Sequence, residues 1–190
     1  MLRRLPHTPL TWLAVAAIVA ASALGLWWFQ PWKLVTDAEV DEELSVVASV
    51  PAVGPTSVGP VAGTSATAAP AGPTVVRSGT FVTHEHDTEG TARIVRDAAG
   101  RHRLELVGLA TSNGPDLRVW LTDQPVRDGT AGWRVFDDGR WVELGRLKGN
   151  RGDQGYEIPS AVDLAGLTSV SIWCKRFAVS FGAAPLDPVG

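Results

Sequence analysis

The chain has 190 residues, a net charge of −3 and a single cysteine, Cys174. Length sets room for about one domain of common size plus N-terminal segments. The near balance of charge, with basic residues scattered among acidic ones, supplies no stripe for nucleic acid, and one thiol excludes an internal disulfide.

In chain order, Arg3 and Arg4 precede an apolar run over 10–29 broken only by Thr11, Ser22 and Gly25. About twenty such residues span a bilayer. The run closes on Trp27, Trp28, Phe29 and Trp32, the aromatic residues expected at headgroup depth, and the positive-inside rule puts Arg3 and Arg4 in the cytoplasm. The expectation is a signal-anchor over 1–35: a single-pass cell-membrane protein with a cytoplasmic N-terminus and an extracellular C-terminal domain. A cleavable signal peptide competes, because Ala21-Ser22-Ala23 has the small-x-small form. Cleavage there would leave Leu24 to Phe29 as an exposed apolar N-terminus, which disfavours it.

Over 36–77 the composition turns to Ala, Val, Pro, Gly, Thr and Ser behind an acidic start (Asp37, Glu39, Asp41, Glu42, Glu43). Little apolar area is available to offset ordering entropy. A disordered linker is expected, stiffened by Pro51, Pro55, Pro60, Pro70 and Pro73.

The globular part is 78–190. Strands are predicted at 79–83, 90–96, 103–110, 116–122, 141–147, 155–158, 169–174 and 177–183, separated by Gly-, Asn- and Asp-containing turns. Leu117, Val119 and Leu121 alternate with Arg118, Trp120 and Thr122, a period of two. The fold class expected is all-β, an antiparallel β-sandwich after one transmembrane helix. The same period puts Val170, Ile172 and Cys174 on the inner face and Ser171, Trp173 and Lys175 on the outer one. Cys174 then has two readings. Apolar burial makes it inert packing, whereas Lys175 and Arg176 beside it favour the thiolate and chemistry.

Ser78-Gly79-Thr80-Phe81, the block from Asn113-Gly114-Pro115-Asp116 to Leu121, the glycine-rich 144–150, the block over 154–159, and Trp173-Cys174-Lys175-Arg176-Phe177 together resemble the successive blocks of the DM-thirteen domain. That resemblance implies an extracytoplasmic sandwich related to the DOMON domains, which bind haem or sugar. It also implies a signature cysteine with a proposed redox role, as a bare thiol or through a prosthetic group; here that residue is Cys174.

The other motifs narrow the chemistry. Asn113 to Asp116 is expected to form a tight turn, with Gly114 at positive φ and Asp116 capping amides. No Cys-x-x-Cys-His is present and the only methionine is Met1, so c-type haem and methionine ligation are excluded. Haem through Cys174 or a histidine stays open, and no cofactor is assigned. No histidine follows Cys174, which disfavours a blue-copper site, and His84-Glu85-His86-Asp87 is expected to be a solvated loop with no metal. Nothing pairs Cys174 with His84, His86 or His102 as a hydrolase, so no enzymatic activity is assigned. The function expected is a membrane-tethered redox or electron-transfer domain centred on Cys174. The alternative is a non-catalytic cell-surface binding module using exposed Trp120, Trp133 or Trp141. The sequence names the membrane as one partner and identifies no redox partner.

Overall fold

A computed structural model of the chain describes residues 8–47 and 72–189. Arg3, Arg4, Pro51, Pro55, Pro60 and Pro70 lie outside the described residues. Helix α1 runs over Pro9–Phe29, with Pro9 at its first turn and the amide of Thr8 donating to Thr11 Oγ1 at 3.0 Å. It stops where Gln30 turns left-handed at φ 46° and donates its amide to the Leu26 carbonyl, just before Pro31. None of its side chains is buried, and its apolar residues surround the axis rather than forming one stripe. At 21 residues it is roughly 30 Å long, enough by length and hydropathy to cross a membrane.

Among the described residues eleven strands follow: β1 Glu39–Asp41, β2 Thr74–Thr80, β3 Val82–Thr83, β4 Glu89–Arg96, β5 His102–Ala110, β6 Leu117–Thr122, β7 Trp141–Arg146, β8 Arg151–Ile158, β9 Ser169–Cys174, β10 Val179–Pro185 and β11 Asp187–Pro188. They form two sheets, β1-β8-β5-β4-β2-β11 and β3-β10-β9-β6-β7. Every pairing is antiparallel except β1 with β8. The fold is therefore the expected all-β sandwich behind one apolar helix. Ile94, Leu104 and Leu106 from one sheet meet Val119, Leu121, Val170, Ile172 and Phe181 from the other, the inward positions of the period-two pattern.

The last hairpin starts later than the predicted 177, because Ala178 at φ 49° closes the turn after Cys174 and β10 begins at Val179. A larger difference concerns the outer face of the second sheet. Every residue of β9 is buried, including Ser171 and Trp173. The connection from β6 to β7, with a short helical turn at Gly129–Gly132, folds over that face. There Trp120, Phe136, Trp173 and Ala183 form a second, smaller core with Val126 and Val135. Period-two reading separates the two faces of a strand but cannot say that a long connection covers the outer one.

The start of the linker is also ordered onto the domain. Glu39, Val40 and Asp41 pair with Arg151, Gly152 and Asp153. Asp37 meets Arg151 at 3.0 Å, Glu42 meets Lys148 at 2.6 Å, and Ser45 donates its amide to Glu105 at 2.8 Å. Asn150 clamps the entry: its Oδ1 accepts from the Ala38 amide, and its Nδ2 donates to Asp37 and to the Thr111 carbonyl. Gly152 makes the approach feasible, since it sits at φ +94° and a Cβ there would lie 2.0 Å from the Val40 carbonyl oxygen. Composition argued correctly that this segment has little apolar area to bury. It docks instead through the unpaired edge of β8 and through cations that await its carboxylates.

Candidate functional site

Cys174 ends β9 with its side chain among Val170, Ile172 and Leu117, and it is completely buried. Register brings two distant blocks together here. Leu117 lies opposite Cys174, and the Lys175 amide donates to the Asp116 carbonyl at 3.0 Å. Burial pushes the thiol pKa up from 9.0. Hydrogen bonds from the backbone amides of Phe177, Arg176 and Asp116 pull against it without reversing it, and the charge of Glu85 adds to the rise. The sulfur is therefore a buried, neutral thiol.

The cations expected to favour thiolate are turned elsewhere. Lys175 Nζ donates to Glu143 at 3.3 Å. Arg176 bonds the Trp28 carbonyl and lies over the Trp28 ring, 4.9 Å from its centre. Sequence adjacency misled here because Lys175 follows the strand's outward direction and Arg176 lies in the turn, reaching toward the helix end.

The Asn113 to Asp116 block departs from expectation in two ways. Gly114 is not at positive φ; it is small because a Cβ would lie 3.0 Å from Phe181 and 3.1 Å from Leu117. The Asp116 carboxylate does not cap amides but pairs with Arg118 at 2.8 Å and Arg146 at 3.6 Å. Amide capping falls to Asn113, whose Oδ1 accepts from Gly114 at 2.8 Å.

Above the Cys174 turn, the end of α1 roofs the sandwich. Phe29 stacks on Phe177 with ring centres 6.1 Å apart, and a cavity of about 250 Å³ lies between Phe29, Pro31, Glu85, His86, Phe177 and Phe181. That volume falls below the roughly 300–1,000 Å³ typical of ligand sites. Cys174 does not line it, and His86 packs its ring 4.0 Å from Phe181. These residues do not fit a haem.

Against the expectation of a solvated loop over His84-Glu85-His86-Asp87, His84 is buried. Its Nδ1 contacts Ser180 Oγ at 2.9 Å and its Nε2 contacts the Arg127 carbonyl at 3.0 Å, so both ring nitrogens are engaged. Burial lowers its pKa, more than the Arg127 carbonyl and the charge of Asp128 raise it. His102 belongs to the other sheet, opposite Arg96 and Ile158. Among the described residues no three His, Cys, Asp or Glu side chains gather as a metal site.

Sequence reasoning missed an aromatic column on the outer face of the second sheet. Trp141 stacks on Trp120 with centres 4.0 Å apart and planes within 5°, and Trp120 stacks on Trp173 at 5.0 Å and 23°. Phe136 meets Trp173 edge-on. Trp120 Nε1 donates to Glu143 Oε2 at 3.3 Å. Trp120 is buried, contrary to its expected exposure, while Trp141 is 39% exposed. Period-two alternation already put Trp120 and Trp173 on outward faces; the missing information was that β6, β7 and β9 are neighbours.

An antiparallel β-sandwich with a buried thiol at one corner, carried behind an apolar helix, defines the class of protein. Residues 80–186 match the family described as Electron transfer DM13, and the chain belongs to that family. Comparisons with curated proteins and with solved structures returned no match.

Proposed function

We propose that the chain is a membrane-tethered, extracytoplasmic electron-transfer domain whose redox group is Cys174. The observation that carries this reading is the convergence of the Asn113–Asp116 and Trp173–Lys175 blocks at one buried thiol, where Leu117 lies opposite Cys174 and the Asp116 carbonyl accepts the Lys175 amide at 3.0 Å. Membership of an electron-transfer family supports it from a second side. A neutral, buried thiol is a poor nucleophile. Its part is one-electron exchange: the sulfur gives one electron to a one-electron acceptor and its S–H proton to water, and a one-electron donor with a proton restores the thiol.

Residues 1–35 serve as anchor in this reading and 78–190 as the outward domain, and of the 36–77 expected as linker, Glu39–Asp41 and the first part of β2 pair into the domain's sheet. The apolar surface all round α1 supports lipid as its solvent, and the contacts of Phe29 and Trp28 with Phe177 and Arg176 support a Cys174 corner that faces the bilayer in this reading. Protein-film voltammetry of the full chain in lipid nanodiscs tests the thiol. Wild type is expected to exchange electrons with the electrode and Cys174→Ser, folded by circular dichroism, is not. An unchanged signal in the variant rules the thiol out.

A further inference from the structure

We infer that the Trp141–Trp120–Trp173 column is a one-electron path from the protein surface to the strand that carries Cys174, with Glu143 as the proton acceptor for Trp120. The inference rests on the electron-transfer reading of the Cys174 corner. Electronic coupling falls steeply with separation, and here three indoles are in van der Waals contact from a half-open surface position to full burial. Trp173 is joined to Cys174 by one peptide bond. The stack lies on the outer face of the sheet and the sulfur on the inner one, so the column reaches the thiol's strand where solvent does not.

Glu143 is what separates this stack from plain aromatic packing. An indole that loses an electron becomes a radical cation whose N–H is strongly acidic, and a buried cation without a proton acceptor is costly. The Trp120 N–H already donates to the Glu143 carboxylate. Burial pushes the Glu143 pKa up, but the Trp120 hydrogen bond and the charges of Arg118 and Lys175 outweigh it and leave the group below its ordinary 4.5. Arg118 at 2.7 Å and Lys175 at 3.3 Å hold the carboxylate in place.

A one-electron oxidant over Trp141 takes one electron from its ring and is itself reduced by one. Trp120 refills Trp141, passes its Nε1 proton to Glu143 and becomes a neutral radical beside a neutral carboxylic acid. A one-electron donor then returns the electron, and the proton moves back from Glu143 to nitrogen.

Flash-quench oxidation of the full chain in lipid nanodiscs, with a photogenerated ruthenium(III) polypyridyl complex as oxidant and ascorbate as donor, tests this by transient absorption. The indoles outside the column, Trp12, Trp27, Trp28, Trp32 and Trp133, contribute a common background to every variant. Wild type is expected to yield a neutral indole radical above that background, and Trp120→Phe and the more exposed Trp141→Phe to lose it. Glu143→Gln is expected to leave the radical cation undischarged. Wild-type radical yield in both tryptophan variants, or wild-type proton loss in Glu143→Gln, overturns the conduit. Cys174→Ser separates the two readings: radical formation at Trp120 with unchanged voltammetry upholds the column and removes the thiol. Lost voltammetry in Cys174→Ser with unchanged radical yield in Trp120→Phe does the reverse.

Discussion

Asp116 and Lys175 meet through the main chain beside Cys174: the Asp116 carbonyl accepts the amide of Lys175 at 3.0 Å, and Leu117 lies opposite Cys174. This contact does not use the Asp116 carboxylate, which is occupied by Arg118 and Arg146. The thiol is thus held by backbone geometry, and substitutions that leave the backbone in place should leave its environment in place.

Burial of the thiol predicts slow labelling. At neutral pH a maleimide or disulfide reagent should modify Cys174 only as fast as the domain opens, and addition of denaturant should release one equivalent. Because the folded pKa lies above 9.0, the stability tied to this group is fully present below pH 9.0 and is lost as pH rises through the folded value. Cys174→Ala should cost about 1 kcal/mol, the scale of one buried methylene-sized group and its cavity. Denaturant melts of both proteins at pH 7 and pH 10 check the size and the sign.

Docking of the linker start depends on Gly152 and Glu42. Gly152→Ala places a Cβ against the Val40 carbonyl and strains φ +94°, so it should release β1 while the sandwich persists. Hydrogen exchange over 38–45 would rise in the variant and stay low in wild type. Lys148 first, then the Gly155 amide, holds the Glu42 carboxyl below 4.5. The docking free energy is therefore present above pH 4.5 and lost as pH falls through the lower folded value, and Glu42→Gln should remove that acid dependence.

Glu105 is the most consequential buried charge. It is fully buried, meets Arg93 at 2.8 Å and accepts the Ser45 amide. Burial raises its pKa, but Ser45 and Arg93 together leave it lowered. Glu105→Leu removes the carboxylate partner of Arg93, which keeps only the Ser45 carbonyl, and the acceptor of the Ser45 amide. It should destabilise the domain by roughly 3 kcal/mol, read from urea midpoints, beyond the effect of an exposed pair.

His84 predicts a separate acid transition. Its neutral ring bridges Ser180 and Arg127 and stacks on Phe136 at 5.6 Å. With a folded pKa below 6.5, its contribution is present above pH 6.5 and lost as pH falls through the folded value. A stability curve of His84→Phe between pH 7 and pH 5 should be flatter than that of wild type.

Much of the architecture was legible in one dimension. Hydropathy determined α1, and period-two alternation with the turn residues located seven of the eight predicted strands and the inward direction of Cys174, because both signals are local and repeat along the chain. The predicted 79–83 instead straddles the end of β2, which begins at Thr74, and β3 of the other sheet. The sandwich and its family blocks followed from the same residues. What only the tertiary structure decided was every relation across distance. The meeting of Leu117 with Cys174 needs β6 beside β9, the tryptophan column needs β7 beside β6, and the ordering of residues 37–45 needs the free edge of β8. The diversion of Lys175 to Glu143 and Arg176 to Trp28 is of the same kind. Adjacency in sequence reports which charges are near a thiol along the chain, while its pKa answers to which groups surround it in space.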